Sequence, residues 1–440
     1  MIGPGVDRDG SRSPDAAQGS AGMKQKRRGT IGESPMHSEI FCHIDTRPGS
    51  NIARGALVGK RAAVQACISV QGWPTEAGSA ALRGFVAVED ATVVERLRDA
   101  GASLVGNTRS CELGFGLLGD GAGKAVAGGH VDVALMTDTM GEARAAAASA
   151  GVFGFKPSYG QVSRFGLVGL VPSMDCCSIL AKRLGDIEDV FTAIRGGDDR
   201  DPSLPDPAPP SLSPSAGPGR RPLSAGVVAQ CLHGLSSIER AAFEAALSNL
   251  ERVGIAVREI PFDKYEFFPV VHNVIGSVEA SSSCGKFDGV RYGHRAAGSR
   301  NWNEMYLRSR AESFGLPLKA YLFQGACFQF EQYAVFEKAC RIRSELVGQS
   351  RRLHGEVDVV VSPARRAASD FGRANTVGQL YEAFSLTLPA NVTGQPVLTL
   401  PGLVTCEGGD LGLQLMGAPF GDELLLGIAG RILQELEGTG

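Results

Sequence analysis

Residues 132 to 157 read DVALMTDTMGEARAAAASAGVFGFKP. With Val131 before them, Val133 and Leu135 open a buried strand, and Thr137-Asp138-Thr139-Met140-Gly141 form a turn. The alanine-rich run that follows fits a closely packed helix. A strand that passes through a tight glycine-containing turn into a helix is a place where α/β proteins put reactive groups. The turn aims one side chain and several backbone N–H groups into a common space. Here that side chain is Glu142.

Outward from this stretch, the pattern stays that of an α/β protein. Leu57 to Ile68 reads as a turn and a buried strand, Asp90 to Ala102 as a helix stopped at Gly101, and Ser103 to Thr108 as the next strand. This βαβ rhythm predicts a mostly parallel sheet. Ile187, Val190, Phe191 and Ile194 share one face of a further helix. Ser236 to Glu239 is a capping box opening a helix through Val253, and Ile255 to Ile260 is the strand after it.

Composition narrows the function classes. The 440 residues are 43% apolar and 21% charged, enough for one large core or two smaller ones. A net charge of −3 gives no general attraction to nucleic acid or anionic membranes. No apolar run is long enough to span a bilayer, and the first residues lack a signal peptide's apolar segment, so the expected compartment is the cytoplasm. The ten cysteines and seven histidines show no metal-binding spacing, so neither metal nor cofactor is expected. Residues 1–35, rich in Gly, Ser and Pro around one basic knot (Lys24 to Arg28), are expected to be a disordered tail.

The stretch from Ala134 to Gly166 resembles the amidase signature family, whose core reads A-L-[GS]-[ST]-D-T-G-G-S-I-R and then G-V-x-G-[LF]-K-P-[ST]-Y-G-x-V-S-R-[FY]-G. Asp138, Thr139, Gly141, Arg144, Gly151, Gly154, Lys156, Pro157, Tyr159, Gly160, Val162, Ser163, Arg164 and Gly166 fall in register. Met305 to Gly315, Leu388 to Pro396 and Leu411 to Phe420 are similar to the branch of A subunits of tRNA-dependent amidotransferases. Together the similar segments cover most of residues 57 to 435.

The resemblance implies a Ser-Ser-Lys triad, and all three positions are changed. The nucleophile's position is Glu142, the lysine's is Gln65 and the bridging serine's is Leu118, counted back without a gap across a shortened loop. Leucine relays no proton, an amide is no base near neutral pH, and a carboxylate puts negative charge where an oxyanion develops. Thr139, Met140 and Gly141 remain as the family's oxyanion turn. The positions implied for recognising free glutamine, an arginine and an aspartate, hold Tyr321 and Phe384. Lys156 corresponds to a supporting lysine, and Asp138 and Arg144 to structural partners.

These readings commit to an amidase signature fold, a mixed, mostly parallel sheet between helical layers. Residues 36–201 form the first part of the core, 202–225, with eight prolines at 202 to 222, a linker or excursion, and 226–440 the remainder with a helical insertion; the excursion is expected to be helical through residue 320. No residue is assigned a catalytic role. The expected function is that of a degenerate paralogue acting as a binding or regulatory partner, with amidotransferase subunits B and C as the candidate partners and tRNA reached only indirectly. The alternative is an active glutamine-hydrolysing subunit or divergent amidase with a replacement nucleophile, Glu142 assisted by Lys124 or His130; Glu142 as a plain helix-start carboxylate needs no such partner.

Overall fold

The computed structural model describes residues 39–46, 54–117, 121–205, 223–367, 369, 371 and 374–438. The strands are β1 (Phe41–Ile44), β2 (Arg61–Gln65), β3 (Ser103–Thr108), β4 (Val133–Asp138), β5 (Phe153–Lys156), β6 (Cys176–Ala181), β7 (Ser224–Val228), β8 (Ala256–Ile260), β9 (Val359–Pro363), β10 (Val397–Leu400), β11 (Thr405–Cys406), β12 (Gly409–Asp410) and β13 (Leu413–Met416). All but the small β11-β12 hairpin form one 11-stranded sheet in the order β1-β3-β2-β4-β6-β5-β10-β13-β9-β7-β8.

The sheet has a core on each face, and β4 shows why. Its residues are all buried, with Val133 and Leu135 in one cluster and Ala134 and Met136 in the other, as a pleated strand covered on both sides requires. Under Ala134 lie the helices Gly121–Ala127, Glu142–Ala150 and Phe267–Ser283; under Val133 lie Thr92–Asp99, Leu184–Ile194, Ser237–Arg252 and Asp422–Gly438. The alanines at 143 and 145–148 are fully buried, which lets their helix sit close against the sheet.

Two expectations change. The sheet is mixed and lies between helical layers, but parallel pairing is confined to β3-β2-β4 and β9-β7-β8. The centre from β4 to β9 is antiparallel, because loops and a hairpin, rather than helical crossovers, join several of its strands. The region expected as a helical excursion to residue 320 is also divided. Its first part adds β7 and β8 to the sheet edge through the crossover helix Ser237–Arg252, with the Ser236/Glu239 capping box formed. The helices Phe267–Ser283, Trp302–Ser313, Leu316–Phe330 and Tyr333–Leu353 follow. The tail at 1–35 and most of the proline tract, 206–222, lie outside the described residues.

Candidate functional site

The site stands at the carboxyl ends of β2 and β4, where α/β sheets open toward ligands. Asp138 ends β4, and Glu142 begins the next helix with Gly141 at its N-cap. Gly141 has φ 117°, and a Cβ there would stand 2.1 Å from the Thr387 side chain, so only glycine fits. The Thr387 hydroxyl donates to the Met140 carbonyl and holds the turn from the other side.

The resulting nest of N–H groups is filled by the chain itself. Thr139 N (2.8 Å), Met140 N (2.7 Å) and Gly141 N (3.2 Å) all donate to Oε2 of Glu142. Gly116 N donates to its Oε1 at 3.4 Å. The side chain is 1% exposed. Burial, with the nearby Asp138 charge, raises its pKa to about 7 against the N–H groups that favour the anion.

Asp138 is equally buried but has a cation. Arg144 donates from Nε (3.1 Å) and Nη2 (2.9 Å) to its two oxygens, and Asn391 Nδ2 donates to Oδ1 at 2.9 Å. Burial pushes this carboxyl up, but the Arg144 charge and hydrogen bonds, with Lys156 and Asn391, hold it below the ordinary aspartate value. Arg144 has nothing left for Glu142, because Thr387 O, Gln414 Oε1 and Asn391 Oδ1 take its other donors.

Gln65 closes β2, 4% exposed, and its Oε1 accepts from Thr137 N (3.0 Å) and Thr137 Oγ1 (2.7 Å). It is tied to β4, and among the described residues no hydrogen bond joins it to Glu142. Leu118 lies outside the described residues. Tyr321 and Phe384 are both in the aromatic interior: Tyr321 stacks on Phe115 at 4.6 Å, and Phe384 lies 4.8 Å from Phe371. Lys156 is fully buried, donates to Pro157 O at 2.9 Å and is lowered in pKa by burial.

The partners considered for Glu142 are not its partners here. Lys124 is exposed and lines a surface cavity with Glu39, Glu76, Arg83 and Arg109. His130 lies edge-on to Phe41 at 6.2 Å. Neither is hydrogen-bonded to the Glu142 carboxylate, whose bonds are to backbone N–H groups.

A polar chain that sequence reading missed stands beside the turn instead. His272 Nε2 lies 2.9 Å from Thr139 O, its Nδ1 2.8 Å from Tyr381 Oη, and Tyr381 Oη 3.0 Å from Tyr321 Oη. A carbonyl only accepts, so Nε2 carries the proton, Nδ1 accepts from Tyr381, and Tyr321 donates to Tyr381. Burial lowers the His272 pKa to about 4, which keeps the ring neutral. Thr139 also donates from Oγ1 to Asp175 at 2.6 Å, and burial raises that carboxyl to about 6.

Next to Gly116 is a cavity of about 210 Å³ lined by Cys111, Phe115, Leu117, Leu318, Phe371 and Leu380, among others. Among the described residues its one charged lining residue, Glu112, is engaged by the Ser79 hydroxyl and Gly315 N. The described lining therefore offers no cation to a substrate carboxylate.

The family model described as Amidase matches residues 43–120 and 119–426. The chain belongs to the amidase family. Its relatives include the A subunit of the glutamyl-tRNA(Gln) amidotransferase of Symbiobacterium thermophilum, 33% identical over 411 residues, covering 87% of this chain and 84% of that one. The protein of the same description from Anaeromyxobacter dehalogenans is 34% identical over 420 residues, covering 89% and 85%. The crystal structure of the corresponding A subunit from Thermotoga maritima superposes with a TM-score of 0.74 at 24% identity over 90% of this chain and 88% of that one. The peptide amidase of Stenotrophomonas maltophilia does so at 0.68 and 23%, covering 87% and 84%. Both solved structures carry the same fold. Among the described residues, no helix is long and apolar enough to cross a membrane, and no group of three or more His, Cys, Asp or Glu side chains is placed to hold a metal.

Proposed function

We propose that this amidase-family chain is a non-catalytic paralogue of the amidotransferase A subunit, which keeps the fold as a binding or regulatory partner. The observation that carries this reading is the Glu142 carboxylate lying on the N–H groups of Thr139, Met140 and Gly141. Amide hydrolysis needs such donors free to stabilise an oxyanion, next to a nucleophile with a base to take its proton. Here the donors are occupied by the Glu142 carboxyl group. At the position of the family's lysine Gln65 offers only an amide, engaged as an acceptor by Thr137, and the nearby His272 imidazole is neutral and hydrogen-bonded at both nitrogens. The described lining beside Gly116 also offers no cation to the carboxylate of free glutamine. The partners proposed are subunits B and C of an amidotransferase in the cytoplasm, with tRNA contacted only through them.

The test is ammonia release from glutamine by the purified chain, alone and with subunits B and C, beside a Glu142→Ser/Leu118→Ser/Gln65→Lys variant. No release from the unmodified chain is expected, and activity regained by the triple variant would show the pocket still built around a missing triad. Release that Glu142→Ala abolishes would overturn the proposal and establish carboxylate chemistry in its place.

A further inference from the structure

β2 and β3 are parallel neighbours, but the chain leaves them toward opposite faces of the sheet. β2 is followed by the helix Thr92–Asp99 in one core cluster, and β3 by Gly121–Ala127 in the other. Between two such strands the connecting loops part and a crevice opens at the carboxyl ends, the place where α/β sheets bind ligands. Here it holds a cavity of about 690 Å³, lined by Ala66 just after β2 and by Arg109 and Ser110 just after β3. It shares no lining residue with the cavity beside Gly116.

Two glycines bring its walls together. At Gly78, with φ 63°, a Cβ would stand 2.7 Å from the Ser110 carbonyl oxygen; at Gly121 it would stand 2.8 Å from the Ile40 carbonyl oxygen and 3.1 Å from Arg109 N. Only glycine lets the loop after β2 and the helix after β3 come so near. Lys124, three residues on from Gly121, shares its side of the helix and reaches the cavity that Arg109 lines. Arg83 adds a third cation from the loop after β2.

Arg83 and Lys124 are exposed, and among the described residues no hydrogen bond or ion pair engages either. The Ser110 hydroxyl accepts from the Cys67 thiol at 3.6 Å, which leaves its own proton to donate. The cations outnumber the carboxylates of the described lining, Glu39 and Glu76, and Glu76 already accepts from Gly84 N at 2.7 Å. Two uncommitted cations match a phosphate monoester, with about 1.5 to 2 negative charges near neutral pH, better than a single carboxylate. The volume leaves room for the molecule that carries such a group.

We propose that this crevice binds a small organic phosphate, with Arg83, Arg109 and Lys124 around the phosphate group and Glu39 accepting from hydroxyl groups of the remainder. The site is separate from the Glu142 turn, so the inference does not rest on the loss of amidase chemistry.

Cys42, an exposed thiol in the same lining, reports occupancy, and Cys327, exposed on the helix Leu316–Phe330, is the control. Alkylation of the full chain by iodoacetamide is followed at both thiols by peptide mass. Millimolar ribose 5-phosphate or glycerol 3-phosphate is expected to slow the reaction of Cys42 several-fold and to leave Cys327 unchanged, while ribose and glycerol protect neither. Arg83→Glu and Lys124→Glu are each expected to raise the concentration needed for protection by about tenfold or more. Circular dichroism should not change, because both side chains are exposed. No protection by either phosphate, equal protection by the phosphate-free compounds, or protection that both charge reversals leave intact would overturn the proposal.

Discussion

Asp138 and Glu142 stand at the two ends of one turn, both withdrawn from water, and meet the cost of a buried carboxylate differently. Asp138 faces a guanidinium that donates to both its oxygens, and its pKa falls. Glu142 faces only backbone N–H groups, and its pKa rises to about 7. A full opposite charge offsets desolvation, whereas a nest of partial charges receives the anion without offsetting its burial when another carboxylate stands close by. The first acid belongs to a framework that locks β4 to the segment 387–414; the second is a charge lodged where that framework leaves donors free.

The largest effect is expected at the framework. Arg144→Met removes the cation while Asp138 stays buried, which should cost about 3–5 kcal/mol in urea unfolding. A loss below about 1 kcal/mol would mean that Lys156 alone compensates Asp138, and the contrast between the two acids would collapse.

Glu142 should show itself through pH. Its folded pKa near 7 lies above the unfolded value near 4.5, so the folded state holds the proton between them and stability falls as pH rises through that interval. Relative to Glu142→Gln, the unmodified chain should lose up to about 3 kcal/mol between pH 4.5 and 7. Asp175, also raised by burial, titrates in both proteins and cancels in the difference. Parallel pH profiles would show that the N–H groups outweigh burial and that Glu142 is ionised throughout.

These environments were unequally legible in the chain. β4, its turn and the alanine helix follow from local periodicity, because burial on both faces leaves an unbroken apolar run and a positive-φ glycine marks the corner. The Glu142 side chain can be placed at a helix start from sequence, but not folded back onto the N–H groups preceding it, since that depends on the turn's dihedral angles. β7 escaped notice because Ser224–Val228 is a run of small residues just after a proline tract, and its partners, β8 and β9, come later in the chain. The His272–Tyr381–Tyr321 chain has no local signal at all: it joins residues from three helices that meet only in the folded molecule. In sequence Gln65 shows only that the lysine position is changed, whereas in the structure its carbonyl oxygen serves two donors of Thr137.

That last arrangement supports a smaller prediction about how firmly the turn is anchored. Gln65→Leu keeps the volume roughly constant and leaves the Thr137 N–H and hydroxyl without their acceptor, for an expected loss of about 2 kcal/mol. If the loss is negligible, β4 is held by its strand partners alone, and the site owes nothing to the former lysine position.

The smallest effect tests whether the Glu142 nest depends on side chains. Thr139 has three attachments: its N–H to Glu142, its carbonyl to His272 and its hydroxyl to Asp175. Thr139→Val removes only the third, with little change of shape, and Asp175 keeps the N–H groups of Leu170 and Val171. The expected cost is about 1 kcal/mol, with the pH profile attributed to Glu142 unchanged, because the groups that receive its carboxylate belong to the backbone. Should that profile move with the substitution, the hydroxyl's grip on Asp175 is what sets the angle of the turn. Glu142 would then be held by a network of side chains, as Asp138 is, and the two acids would differ only in the presence of a cation.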